Sequence, residues 1–170
     1  MLEKIELRKK LKNISMVKAD YSETVINRLQ NIVKDKNVCT YIPLENEINI
    51  NMHLKGQSAL STTCIKDGDI KICIYEEPLE KNSFNVYQPI NLKIIDNVDI
   101  FLVPGVGFDI KGTRLGKGRG FYDQLLSQHL NSIFIGITDK NHIVDEIPFE
   151  NHDIQMHSLI THDEFIDINL

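Results

Sequence analysis

From Val98 to Val103 every residue except Asp99 is apolar. A run so short and so continuous needs cover on both faces, as a strand inside a parallel sheet has. It stops at Pro104-Gly105, where a sheet ladder loses its donor. Ile133 to Ile137 repeats the pattern, and Ser158 to Thr161 is a shorter version of it. Other segments carry the helical period instead: Val25, Ile26, Leu29, Ile32 and Val33 form one stripe, and Phe121 to Leu130 places Leu125, Leu126 and Leu130 on one side. Buried strands that interleave with amphipathic helices predict an α/β sandwich with a mixed sheet.

The remaining elements are shorter. Asp20-Tyr21-Ser22-Glu23 reads as a capping box, with Asp20 accepting from the backbone and Glu23 reaching back. Met1 to Leu11 makes a helix with Leu7, Leu11 and Ile14 on one side and Lys4 and Arg8 sharing a face. Asn37 to Pro43 is a short buried strand. Ser58 to Ile65 and Asp69 to Tyr75 flank Lys66-Asp67-Gly68, a hairpin turn of the Asp-Gly kind, and Ile70, Ile72 and Ile74 alternate with polar or small residues. Pro78 to Pro89 is polar and twice broken by proline, and reads as a surface connection.

At 170 residues the chain suits one domain over its whole length, residues 1–170. The N-terminus has no apolar run like a signal peptide core, and no stretch approaches the ~20 apolar residues of a membrane span. A cytoplasmic protein without membrane partners is expected, with a monomer as the default state. Cys39, Cys64 and Cys73 contain no Cys-x-x-Cys pair and read as free buried thiols. Nineteen Lys and Arg against 24 Asp and Glu give a net charge of −5, which argues against a nucleic-acid partner. Charge is uneven, however. Lys111 to Arg119 is basic without an acid, whereas from Asp139 onward the acids face only Lys140 and read as a solvated face. His152, His157 and His162 do not have zinc spacing and read as surface or supporting residues.

Arg114-Leu115-Gly116-Lys117-Gly118-Arg119-Gly120-Phe121-Tyr122-Asp123 sets three alternate glycines among cations, directly before a helix. Glycines let backbone N–H groups approach an oligophosphate, the helix start adds partial positive charge, and the cations neutralise phosphate oxygens. Asp123 either favours the helix dipole or holds Mg²⁺ against those phosphates. The spacing is neither that of a Walker loop nor the dinucleotide fingerprint Gly-x-Gly-x-x-Gly.

The longer run from Val103 through Pro104-Gly105-Val106-Gly107-Phe108-Asp109, Gly112 and Arg114 to Phe121-Tyr122-Asp123 resembles the signature of the 5-formyltetrahydrofolate cyclo-ligase (5,10-methenyltetrahydrofolate synthetase) family. Lys4-x-x-Leu7-Arg8, Tyr41 to Ile48, and Ile147-Pro148 with His152-Asp153 resemble its flanking motifs. The resemblance implies a three-layer α/β/α sandwich with a mixed, mainly parallel sheet. It implies Mg²⁺ and ATP-dependent closure of 5-formyltetrahydrofolate to 5,10-methenyltetrahydrofolate, releasing ADP and phosphate.

By motif position, Lys4, Arg8, Arg114, Leu115, Gly116, Lys117, Gly118, Arg119, Gly120, Phe121 and Tyr122 would contact ATP. Ile42 and Glu47 would contact the reduced folate, with Lys117 to Phe121 between the two ligands. Asp123 and Asp153 would lie near the metal, and Arg114, Lys117 and Tyr122 would carry the catalysis. Phe121 departs from the family's usual Tyr, His142 from a common Gln, and Ser58 to Ile65 lacks the usual Pro and basic residue. The chain also looks trimmed around residues 65 to 85. Two rival readings stand beside this one: a family paralogue that binds ATP or folate with another cyclisation or none, and a non-catalytic phosphate or nucleic-acid binding module.

Overall fold

A computed structural model of the chain describes residues 2–17, 19–54, 56 and 59–168. Twelve strands and three α-helices occur in it: α1 (Leu2–Lys12), α2 (Glu23–Val33), β1 (Val38–Thr40), β2 (Leu60–Lys66), β3 (Asp69–Ile74), β4 (Leu79–Lys81), β5 (Tyr87–Pro89), β6 (Ile100–Pro104), β7 (Gly107–Asp109), β8 (Arg114–Leu115), α3 (Phe121–Leu126), β9 (Ile133–Ile137), β10 (Ile143–Val144), β11 (Ser158–Ile160) and β12 (Phe165–Asp167). The main sheet has the order β12-β11-β9-β6-β1-β2-β3. Its inner strands are parallel, and β12 and β3 are antiparallel at the two edges.

The apolar run read from the sequence becomes β6, near the middle of that sheet. Successive strand side chains point to opposite faces, so Ile100 and Leu102 join Val25, Leu29 and Val33 of α2 on one side. Phe101 and Val103 join Leu125 and Leu126 of α3 on the other. Each such buried aliphatic or aromatic side chain contributes ~1.5–3 kcal/mol. Helices therefore cover both faces of a mixed, mainly parallel sheet, as the resemblance implies. Gly136 makes the packing close: a Cβ there would lie 2.6 Å from Phe108 and 2.7 Å from Leu159.

A second sheet, β10-β7-β8, rides beside the first. Leu11 packs on it with Val106, Leu115 and Ile147, which docks α1. A Cβ at Gly107 would sit 2.5 Å from Leu11 Cδ1, so glycine lets helix and strand touch. Asp109, fully buried, accepts the N–H groups of Lys111 and Thr113 on Oδ1 and that of Ile147 on Oδ2. One carboxylate thus ties the β7–β8 turn to the segment after β10.

Several expectations are corrected. The cap of α2 is Ser22, whose Oγ accepts the Val25 N–H, and Glu23 is already helical. The Ser22 N–H bonds to His162 O, which fixes where the chain enters the helix. α3 ends at Leu126 and continues as turns, leaving Leu130 67% exposed rather than in the core. The segment from Pro78 to Pro89 is not a bare connection but holds the β4–β5 hairpin, whose turn is pinned by Asn82 Oδ1 accepting from Phe84 and Val86. The Asp67-Gly68 hairpin forms as expected, with φ of +55° and +86° at the two turn residues. Ser58, the expected start of its first strand, lies outside the described residues. The acidic C-terminal part is only partly a solvated face: Asp139 and Asp153 are buried, and so are His142 and His162. His142 Nδ1 lies 3.0 Å from Asp139 Oδ1, and His157 Nδ1 accepts the Phe134 N–H. Cys39, Cys64 and Cys73 are free and buried. Among the described residues no helix is long and apolar enough to cross a membrane.

Candidate active site

Three loops converge at the C-terminal ends of β1 and β6, the place where an open parallel sheet offers a crevice. The Gly116–Gly120 loop leads from β8 into α3, the 41–50 segment follows β1, and the β4–β5 hairpin closes over them. With the inner face of α1 and residues 150–153 they enclose a cavity of about 560 Å³. Lys4, Arg8, Ile42, Glu47, Arg114, Gly116, Lys117, Gly118, Arg119, Gly120, Phe121, Tyr122, Asp123 and Asp153 all line it. Leu115 does not: its side chain is buried beside Leu11 in the cluster under α1. Lys111, counted in the basic run, instead pairs with Glu146 on the outside.

Local geometry follows from residue type. Gly118 and Gly120 have φ of +98° and +69°, left-handed backbone that L side chains rarely adopt. At Gly116 a Cβ would lie 2.8 Å from an Arg114 guanidinium nitrogen, so a side chain there would require Arg114 to shift. Arg114, 6% exposed, sends Nη2 to Asp123 Oδ2 at 2.9 Å and lies over the Tyr122 ring at 5.3 Å. Among the described residues its buried Nε has no hydrogen-bond partner. Arg8 Nε donates to Gly116 O at 2.7 Å, which ties α1 to the loop. Arg119 stacks on Phe84 at 4.4 Å, and Phe84 meets Phe121 edge-on at 5.1 Å. Lys117 Nζ reaches Glu47 Oε1 at 2.5 Å.

At the other end of the cavity, buried Lys4 donates to Asp153 Oδ2 at 2.5 Å and to Glu150 Oε2 at 3.3 Å. Glu150, His152 and Asp153 each place one ligand atom within 4.8 Å of the others. Asp123 stands apart from that group, held by Arg114. Burial pushes the Tyr122 hydroxyl well above its ordinary value, so it stays neutral. The cavity thus combines cations and glycine backbone suited to phosphate with carboxylates and aromatic rings suited to a flat, donor-rich heterocycle.

Phe84, Thr63 and Glu150 line the cavity without having been marked by the sequence, and His152 of the His152-Asp153 motif lines it with them. Glu150 was legible from its place inside that motif, three residues before Asp153. Phe84 was not, because an isolated aromatic in a polar stretch carries no periodicity.

The model of the 5-formyltetrahydrofolate cyclo-ligase family matches residues 3–162. A 5-formyltetrahydrofolate cyclo-ligase of Haemophilus influenzae is 33% identical over 91 residues, which cover 50% of this chain and 49% of that protein. The mouse protein of the same name is 30% identical over 50% of this chain and 47% of its own length. The chain therefore spans about half the length of these curated relatives. A longer match, at 29% identity, covers 77% of this chain and 77% of a probable 5-formyltetrahydrofolate cyclo-ligase of Schizosaccharomyces pombe. Among solved structures, Aquifex aeolicus 5,10-methenyltetrahydrofolate synthetase superposes with a TM-score of 0.81 at 28% identity, covering 100% of this chain and 94% of that one. With the family pattern matched from α1 through β11, this chain belongs to the 5-formyltetrahydrofolate cyclo-ligase family.

Proposed function

We propose that this chain, acting as one domain, catalyses the ATP-dependent cyclisation of 5-formyltetrahydrofolate to 5,10-methenyltetrahydrofolate with release of ADP and phosphate. The observation that carries the reading is the single cavity lined both by the Arg114–Asp123 loop and by Glu47. Phosphate-binding and donor-accepting groups share one enclosure there.

An amide oxygen is a poor leaving group. The formyl oxygen takes the γ-phosphoryl group, ADP departs, and an iminium phosphate remains. The N10 amine then attacks the formyl carbon and loses its proton, and the C–O bond breaks to free phosphate. The protein's task is to hold the formyl oxygen in line with the γ-phosphorus and to stabilise charge on the phosphoryl oxygens. Arg114 and Lys117 are the cations assigned to that charge. Neutral Tyr122 donates and orients Arg114 through its ring, and Lys4 and Arg8 face the nucleotide from α1. Ile42 and Phe121 flank the pterin, and the Glu47 carboxylate accepts from its N–H groups.

The donor set fits Mg²⁺, which takes oxygen ligands and keeps several waters. Asp153 would hold the ion with the Glu150 carboxylate beside it and the His152 nitrogen the less suited donor, and Asp123, paired with Arg114 apart from that group, would join it only by giving up that partner. When bound, the ion neutralises charge on phosphate oxygens.

Mixing the protein with 5-formyltetrahydrofolate, Mg²⁺ and ATP should give a near-ultraviolet absorbance rise from the conjugated amidine product, absent when ATP is omitted. No rise from folded protein that binds ATP would replace this reading with that of a family paralogue.

A further inference from the structure

Glu47 and Lys117 line the inner cavity and also an outer groove shared with Asn46 and Asn85, so their ion pair stands at the boundary between the two. The partners are held differently. Glu47 is fixed by its own turn: Oε2 accepts the Leu44 N–H at 3.0 Å, its own N–H bonds to Leu44 O at 2.9 Å, and its side chain is 12% exposed. Lys117 reaches over on a flexible stem from between Gly116 and Gly118, and its side chain is 52% exposed. Lys117 is the partner able to leave.

Among the described residues the other cations of the cavity hold other groups: Arg114 holds Asp123, Arg8 a backbone carbonyl and Lys4 Asp153, while Arg119 stacks on Phe84. Among the described residues Lys117 alone is ion-paired to the carboxylate assigned to the folate. A phosphate that draws Lys117 away strands a nearly buried carboxylate, which is unfavourable. N–H donors of a ligand seated on Oε1 would replace the ammonium, satisfy Glu47 and release Lys117 toward the phosphoryl oxygens.

Resting on the proposed folate and ATP reading, we propose that the Glu47–Lys117 pair is an exchange contact that makes the two substrates bind with positive coupling. Linkage then requires each ligand to tighten the other by the same factor.

The test is calorimetric titration with the β,γ-methylene analogue of ATP and Mg²⁺, with and without saturating 5-formyltetrahydrofolate. Folate should tighten analogue binding by about fivefold or more, and the analogue should tighten folate equally. Without folate, Glu47→Gln should tighten analogue binding, because no charge is stranded when Lys117 leaves. Lys117→Met should abolish the coupling and leave a further Glu47→Gln change with little effect on the analogue. Wild-type protein that binds both ligands with unlinked affinities would overturn the exchange but not the functional reading, as would coupling that survives Lys117→Met. Protein that binds the analogue but no folate would overturn both.

Discussion

Replacing Lys4 with methionine removes the amine and keeps an apolar stem of similar length. The Lys4 and Asp153 side chains are each 7% exposed and meet at 2.5 Å. At that distance and an effective dielectric of about 20, the bare attraction is ~7 kcal/mol. Each ion gives up several kcal/mol of hydration on burial, so the intact pair adds little net stability. Breaking it is another matter, because Asp153 stays buried with its charge. Such losses run to ~3–5 kcal/mol, and the lower end applies here because the Glu150 N–H still donates to Asp153 Oδ2 at 2.8 Å. Urea unfolding without ligands should therefore show Lys4→Met destabilised by ~3 kcal/mol, a midpoint shift of roughly 1–2 M at an ordinary slope. Lys4→Met combined with Asp153→Asn should recover most of that loss, since a neutral amide can still accept the Glu150 N–H. A single variant within ~0.5 kcal/mol of wild type, or a double variant as unstable as the single one, would refute the reasoning.

Other expectations test different levels of the structure. Gly136→Ala forces a methyl group against Phe108 and Leu159 at under 3 Å and should cost ~1–3 kcal/mol in thermal unfolding. An unchanged melting temperature would mean that the strand gives way more easily than its packing implies. Arg114→Ala should lower the turnover of the proposed reaction by ~10²–10³ in protein whose circular dichroism is unaltered; wild-type turnover would remove Arg114 from the chemistry. Burial pushes the Asp139 carboxyl up, but hydrogen bonds from His142 and from the Val17 and Asn141 N–H groups outweigh it and hold the group below its ordinary value of 3.8. A depressed carboxylate lends stability above its unfolded value and loses it as pH falls through the folded one. Asp139→Asn should therefore be less stable at neutral pH, the gap to wild type narrowing below about pH 4. A gap that stays constant into strong acid would contradict that assignment.

Local pattern carried a large part of this protein. Continuous apolar runs that can be satisfied only by cover on both faces marked β6 and β9, and a 3.6-residue period marked α2. The Asp-Gly turn marked the β2–β3 hairpin, because positive φ at both positions admits few residue types. The glycine and cation loop stood out as a candidate phosphate site, because its chemistry is written in consecutive residues. Tertiary structure alone decided what each charge faces. Nothing near Lys117 in sequence points to Glu47, 70 residues away. Lys4 and Asp153 lie 149 residues apart, and only their burial turns a helix-face lysine and a tail acid into a buried ion pair. The same holds for Asp139 and Asp153, read as part of a solvated acidic face and found inside, and for Phe84, which enters the cavity on a hairpin that two prolines had concealed. Backbone preference acts over a few residues and is legible one window at a time. Burial and charge pairing arise between segments that meet only once the sheet has assembled.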